Sequence, residues 1–176
     1  MGPVPSPPPV VAALVLAALA LGATAACADA EAPSAAPESV RVLLGDETFV
    51  LELAVDPATR QRGLSERPFI PPHGGMLFVF PRAELHAMVM RDCPVPLDVA
   101  FLDARGRVVA VHDMKTEPPR RQGESDFDYE SRLPVYSSGR PALFAVETAA
   151  GRLAEVGLEV GQRVELDARA LARLAR

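Results

Sequence analysis

Two acidic residues lie inside apolar runs, where a buried charge is costly unless a cation or several hydrogen-bond donors meet it. Asp98 interrupts the run Leu97–Leu102, and Glu147 stands near the end of residues 142–148. One interpretation is that these carboxylates bind a ligand or act as an acid–base pair, as two carboxylates do in glycosidases. The other, which we favour for Asp98, is an ion pair or a cap on a tight loop, since structural networks also perturb carboxylates.

Three arginines are candidate partners for Asp98, namely Arg62, Arg67 and Arg91. A buried carboxylate stays ionised only when an arginine or several backbone amides hold it. A sugar hydrolase would also need aromatic surfaces, and the chain has no Trp and only two Tyr. A hydrolase that uses Asp98 and Glu147 is therefore the alternative to a binding site, and the sequence leaves open whether the chain is an enzyme.

Cys93 raises the possibility of a thiol nucleophile with His86 as its base. A useful thiolate needs a lowered pKa, whereas the carboxylate of the neighbouring Asp92 should raise the pKa of the thiol. We therefore interpret Cys93 as a small, half-buried side chain before Pro94. The other cysteine is Cys27, so the sequence contains no disulfide framework.

Histidine and methionine recur at alternate positions in two predicted strands. His86, Met88 and Met90 would share one face of the first strand, and His112 and Met114 one face of the second. Imidazole and thioether groups are ligands for Cu(I), so a copper-binding protein is a further alternative. Methionine in apolar strands more commonly fills a core, and this is the interpretation we favour.

Short strands and turns must position these residues. Apolar residues alternate through 40–44 and again through 49–55, which predicts a hairpin with one buried face. Asp56 is a plausible N-cap for a short helix that begins at Pro57 and ends at Gly63. Residues 75–80 and 97–102 are apolar at nearly every position, which indicates strands covered on both sides.

The remaining pattern is a series of short strands with a long polar loop at 116–134. Further strands are predicted at 85–90, 107–115, 142–148 and 163–166, and short helices at 149–156 and 167–176. We predict a β-rich α+β fold, a compact barrel-like single domain of mostly antiparallel short strands with two or three short helices.

Four segments together resemble the domain of unknown function 192 family. They are R-G-L-S-E-R (62–67), G-M-L-F-V-F (75–80), M-R-D-C-P-V-P-L-D (90–98) and F-L-D-A-R-G-R-V-V (101–109). The resemblance covers most of residues 40–166 and implies a β-rich domain without an assigned reaction. Val89, directly before the third segment, stands where the family usually has Trp, and Cys93 stands where it usually has Thr or another small residue.

The resemblance also indicates which polar residues belong together. Glu147 matches the glutamate that the family carries before an Ala-Gly turn, here Ala150-Gly151. The candidate binding site is lined by Arg62, Met76, Met90, Arg91, Asp98 and Glu147. We expect a binding or accessory module with an unknown small ligand or protein partner, and the chain shows no phosphate loop or metalloprotease motif that would indicate a cofactor or metal.

The first part of the chain resembles an export signal. Residues 1–28 contain an uncharged apolar run at 10–26 that ends at Cys27, and no charged residue precedes Asp29. Three readings are open: lipidation of Cys27, cleavage after Ala28, or an uncleaved anchor. We favour the lipoprotein, tethered to the membrane through residues 29–39, which are rich in Pro and Ala.

Charge and localisation restrict the partners. The net charge of −5 gives no basic patch of the kind that binds nucleic acid. We therefore expect a module in the periplasm or cell envelope, anchored to the membrane by its leader or by lipid, followed by the domain at 40–166 and a short terminal helix at 167–176.

Overall fold

The computed structural model of the chain describes residues 1–2 and 39–176. The strands within this part are β1 (Ser39–Leu44), β2 (Glu47–Ala54), β3 (Gly74–Glu84), β4 (Ala87–Met88), β5 (Leu97–Leu102), β6 (Val108–Met114), β7 (Tyr136–Ser137) and β8 (Ala142–Ala149). The helices are α1 (Pro57–Arg62), α2 (Asp126–Ser131), α3 (Arg152–Glu155) and α4 (Ala168–Ala172).

Six strands form one sheet in the order β1-β2-β3-β8-β5-β6, and β4 pairs with β7 in a separate two-stranded sheet. The β2–β3 pairing is parallel, and the other neighbours are antiparallel. The predicted β-rich α+β fold with mostly antiparallel short strands is confirmed. The six-stranded sheet is open, with β1 and β6 at its edges, so it does not close into the barrel that the sequence suggested.

Both faces of the sheet are covered by apolar side chains. The face we call the Asp98 face carries Leu77, Val79, Ala100, Leu102, Phe144 and Val146, and is covered by Leu153, Val156, Leu158 and Leu171. The face we call the Glu147 face carries Met76, Phe78, Val99, Phe101 and Ala145, and is covered by Leu64, Ile70, Met90 and Cys93. Residues 75–80 and 97–102 are buried throughout, which confirms their predicted coverage on both sides.

The turn between β1 and β2 and the two ends of α1 form where the sequence predicts them. The Asp56 side chain accepts a hydrogen bond from the Thr59 amide at 3.0 Å, and Pro57 occupies the first turn of α1. Gly63 ends the helix at φ 52°. Gly45, at φ 60°, makes the turn between β1 and β2. The N-cap, the proline and the terminal glycine therefore fix the length of α1.

Several boundaries differ from the sequence prediction. Strand β3 continues to Glu84, and residues 85–90 keep only the two-residue strand β4. In place of a last strand at 163–166, Arg163 forms a single bridge with Arg107. Helix α3 starts at Arg152 because β8 runs on to Ala149, and the polar loop at 116–134 contains α2.

The predicted leader at 1–28, the tether at 29–39 and the lipid site at Cys27 lie almost entirely outside the described residues, which resume at Ser39. Within the described residues, none of the helices has the length and hydrophobicity needed to span a bilayer.

Candidate functional site

A cavity of about 190 Å³ opens on the Glu147 face. Its floor is formed by Phe78 of β3 and Glu147 of β8, which are both buried. Its rim carries three arginines, Arg60, Arg62 and Arg91. The cavity thus joins a buried acid to a cationic opening.

One wall belongs to the connection between β2 and β3. Parallel neighbours cannot be joined by a tight turn and need a crossover, which here contains α1. At the end of α1, a Cβ on Gly63 would lie 3.3 Å from Phe78 Cζ and 3.6 Å from Glu147 Oε2. The glycine therefore ends the helix and also leaves space above the carboxyl group.

The opposite wall comes from β4 and the segment that follows it. Ala87, Met88 and Val89 line the cavity there, with Cys93 farther along the chain. Strand β4 is held in place by its pairing with β7. Because residue 89 is a valine, this position adds no large aromatic surface to the wall.

Glu147 is enclosed by apolar neighbours. Its cross-strand partners are Met76 on β3 and Val99 on β5, and its exposed fraction is 6%. No side chain or backbone donor within residues 39–176 hydrogen-bonds its carboxyl group, and desolvation by burial alone raises its pKa to about 8. At neutral pH the group is therefore mainly a protonated acid that faces a cavity.

Strands β3 and β8 approach each other closely at Glu147. Gly75, at φ 150°, passes so near β8 that a Cβ there would lie 2.0 Å from the carbonyl oxygen of Glu147. Only glycine fits at this distance. The register between β3 and β8 is consequently fixed at the residue that carries the acid.

The rim arginines differ in their partners. Arg60 donates to the carbonyl oxygens of Val79 at 3.0 Å and Arg176 at 2.8 Å. Arg91 Nε lies 2.9 Å from Glu130 Oε1, although without the alignment of a hydrogen bond. Arg62 is exposed, and its guanidinium group forms neither an ion pair nor a hydrogen bond within residues 39–176, although it lies near Glu52 and helps to lower the pKa of that carboxyl group. Its guanidinium donors are available to a ligand.

Asp98 lies on the other face of the sheet. It is 4% exposed, and its Oδ2 accepts a hydrogen bond from the Leu153 amide at 3.0 Å. Burial raises the pKa of this carboxyl group, while the backbone amides of Gly151 and Leu153 act in the opposite direction. Within 39–176 no arginine lies within ion-pair distance of Asp98, so the predicted partners Arg62, Arg67 and Arg91 were wrong. Asp98 instead caps the start of α3.

The paired-carboxylate hypothesis fails on this geometry. Glu147 is paired with Val99, the residue after Asp98 on β5. Because neighbouring residues of a strand point to opposite faces, the two carboxylates cannot act on one substrate atom. Of the six predicted site residues, Asp98 is thus separated from the others, while Arg62, Arg91 and Glu147 line one cavity and Met76 and Met90 pack in the core of the same face.

The chain was then compared with known families. The sequence pattern of the domain of unknown function 192 family, described as an uncharacterized ACR, matches residues 40–166. This chain belongs to that family. The match includes the crossover, both cavity walls and the strand that carries Glu147. Among curated proteins, none matches the chain.

Two solved structures resemble this member of the domain of unknown function 192 family. One, from Sinorhizobium meliloti, is described as a proposed transcription regulator; it is 28% identical over 73% of this chain and 92% of its own, with a TM-score of 0.58. The other, from Novosphingobium aromaticivorans, is a protein of unknown function; it is 24% identical over 82% of this chain and 100% of its own, with a TM-score of 0.56. The second likeness concerns the fold alone.

Cys93 does not have the environment of a nucleophile. Burial, followed by the nearby Glu147, raises the pKa of its thiol to about 11. The thiol lies 3.4 Å from the carbonyl oxygen of Arg91, to which it donates. His86 instead stacks on Phe80, with ring centroids 3.6 Å apart. The structure supports the small packed side chain over the thiol–imidazole pair.

The residues considered for copper mostly serve the core. Met90 and Met114 are 1% and 0% exposed and lie in the apolar cluster of the Glu147 face. His112 Nε2 lies 2.7 Å from the carbonyl oxygen of Ser137. Within the described residues, no group of three or more His, Cys, Asp or Glu side chains could hold a metal ion. Met88 is the exception among these methionines, because it lines the cavity.

Sequence reasoning missed several cavity residues. Gly63 was assigned only as a helix end, and Arg60 and Phe78 were not assigned to the site. The signal for Gly63 was its place in the motif R-G-L-S-E-R, directly at the end of the predicted helix. Arg60 could not be placed from sequence, since its position depends on the crossover.

Proposed function

We propose that this chain is a small-ligand-binding accessory module whose binding site is the cavity above Glu147. The observation that carries the proposal is that the carboxyl group of Glu147, on a side chain that is otherwise buried, lines the cavity and accepts no hydrogen bond from residues 39–176. Polar groups inside folded proteins are paired by protein atoms, solvent or ligands, and within residues 39–176 no protein atom pairs with this carboxyl group. A ligand that reaches the floor would supply the missing partner.

The dimensions of the cavity limit the ligand. Its volume of about 190 Å³ is smaller than the roughly 300–1,000 Å³ that is usual for sites of drug-sized molecules. At roughly 30 Å³ for each water in the liquid, it could hold several waters or one small molecule. The mixture of arginines and apolar walls favours a polar molecule with a short apolar body.

Replacing Val89 by Trp tests the cavity as the site. The indole ring is expected to occupy space between the two walls and exclude the ligand. The full chain would be purified from its own host, and small molecules released on denaturation would be identified by mass spectrometry. We expect a molecule released from the parent to fall at least tenfold in Val89→Trp.

Val160→Trp is the matched control, because Val160 is 60% exposed and does not line the cavity. The control should release as much of the molecule as the parent. If Val89→Trp retains it equally well, the cavity is not where it binds.

We further propose that the module is exported and held at the membrane by lipid on Cys27. The apolar run at 10–26, the small residues before Cys27 and the Pro- and Ala-rich tether at 29–39 support this proposal. Its place would then be the periplasm or cell envelope, where the tether would give the domain reach from the membrane surface.

Intact mass of the protein in the membrane fraction tests lipidation. We expect loss of residues 1–26 and a mass increase from acyl groups on Cys27, and we expect Cys27→Ser to release the protein or block its maturation. A soluble mature form that begins at Asp29 would show ordinary signal cleavage and refute the lipid anchor.

A further inference from the structure

We propose that the ligand is a small zwitterion of the amino-acid type, whose ammonium group binds Glu147 at the cavity floor and whose carboxylate binds Arg62 at the rim. This inference rests on the proposed function and specifies its ligand class. It joins two side chains that lack partners within residues 39–176 and line the same cavity.

The floor selects for a positive charge. A neutral ligand could be held equally well by a glutamine, which has both a donor and an acceptor and no charge to desolvate. What a carboxyl group adds is a negative charge, which is costly among Met76, Phe78 and Val99 unless a cation pairs with it. An ammonium group provides the charge and up to three hydrogen-bond donors.

Binding at the floor involves a proton. The acid is mainly protonated at pH 7, because burial raises its pKa to about 8. When an ammonium group enters, the carboxyl O–H bond breaks, the electron pair stays on Glu147, and the proton leaves to solvent. The ligand keeps its own three protons, so an ion pair forms and about 0.9 proton is released for each ligand at pH 7.

The rim excludes a simple amine. Arg60 donates to main-chain oxygens of Val79 and Arg176. The guanidinium group of Arg62 forms no ion pair within residues 39–176, and its positive charge helps to lower the pKa of the nearby Glu52. Arg91 lies beside Glu130. A positively charged molecule is therefore repelled at the opening unless it carries a negative group of its own. A carboxylate matches the planar donors of an arginine and can bind them in pairs.

The walls between floor and rim suit a short carbon chain. Leu64, Phe78 and Met88 line the cavity between the polar ends. With a volume of about 190 Å³, the cavity has room for one molecule of amino-acid size. The site thus combines one acid, one free arginine and a short apolar passage.

Four small molecules test separately whether the positive and the negative charge of the ligand are needed for binding. Isothermal titration of the full chain at pH 7 would use 4-aminobutyrate and alanine as zwitterions, butyrate without the amine, and butylamine without the carboxylate. We expect at least one zwitterion to bind at least tenfold more tightly than butyrate and butylamine. Titrations in buffers with different ionisation enthalpies should show the release of close to one proton.

Two variants test which side chain binds which end of the ligand. Glu147→Gln is expected to abolish both zwitterion binding and proton release, and Arg62→Gln to weaken binding at least tenfold while proton release continues. Both should fold, since Gln is neutral and similar in shape to the protonated Glu147, and Arg62 is exposed.

Each other outcome overturns the inference. Equal binding of butyrate would make Glu147 a neutral donor to an anion, and equal binding of butylamine would make the rim irrelevant. If none of the four probes binds, the zwitterion class is wrong. In all three cases the proposed function is judged separately, by whether Val89→Trp loses the molecule that the parent carries.

Discussion

Glu147→Gln is expected to stabilise the domain at pH 7 by about 3 kcal/mol, taking about 1.4 kcal/mol for each pH unit between the ordinary pKa and pH 7, which lies below the buried value. Those values are 4.5 and about 8. Since whole domains are stable by only about 5–15 kcal/mol, this is a large gain from one atom exchange. Gln keeps the shape of the side chain and removes the charge that burial opposes.

The gain should depend on pH in a defined direction. A carboxyl group whose pKa is higher in the folded state binds more protons there, so stability falls as pH rises between the two values. The parent should therefore lose stability from about pH 4.5 to about pH 8. Glu147→Gln should lack this loss, so the two proteins differ little at pH 4.5 and most at pH 8 and above.

Urea unfolding of the full chain at several pH values between 4.5 and 9 measures this difference. The control is Glu159→Gln, which makes the same exchange at an exposed position and should leave stability within about 0.5 kcal/mol of the parent. A gap between Glu147→Gln and the parent that stays constant with pH would mean that Glu147 does not titrate as a buried acid. The charge argument for the ligand would then fail as well.

Asp98→Ala is expected to destabilise the domain by about 1–3 kcal/mol, which is the usual cost of a buried donor left without an acceptor. The stranded donor is the amide of Leu153 at the start of α3. Asp98→Asn should cost less than half as much, because its amide oxygen can still accept from Leu153 and it carries no charge to desolvate.

Thermal and urea unfolding of the parent and both variants would measure these effects. Asp113→Ala is the matched control, because Asp113 lies directly opposite Asp98 on β6 but is exposed and paired with Lys115. An exposed pair of this kind contributes at most about 1 kcal/mol. If Asp98→Ala is as stable as the parent, the cap does not hold α3, and a binding role for Asp98 becomes the better account.

The sequence predicted the burial of Asp98 but not the direction in which it points. On β2 the exposed Val50 and Glu52 alternate with buried residues, so the pattern itself assigns each residue to a face. On β5 and β8 both faces are covered, and the alternation that would distinguish them is lost. A pattern without alternation could not show that Asp98 and Glu147 point in opposite directions.

The partner of Asp98 was missed for a related reason. A helix at 149–156 would have begun too early to place its first amides above β5. The strand β8 extends through Ala149, and Gly151, at φ 83°, turns the chain so that the amide of Leu153 reaches Asp98. Backbone donors leave no trace in the residue types, so the sequence predicted a cap or an ion pair for Asp98 in general terms and could name candidate partners only among the arginines.

Whether the sheet closes into a barrel could not be predicted from the sequence either. Whether β1 and β6 meet depends on twist and register accumulated across all six strands, and no single segment encodes it. By contrast, the hairpin of β1 and β2 and the ends of α1 depend on adjacent residues such as Gly45, Asp56 and Pro57, and these were predicted correctly.

The parallel pairing of β2 and β3 has a consequence for how relatives can differ in length. Because the crossover at 55–73 must carry the chain back along the sheet, it tolerates few deletions. The same crossover supplies Arg60, Arg62 and Gly63 to the cavity. A deletion that shortened this segment below about a dozen residues would therefore disturb the strand pairing and the cavity together.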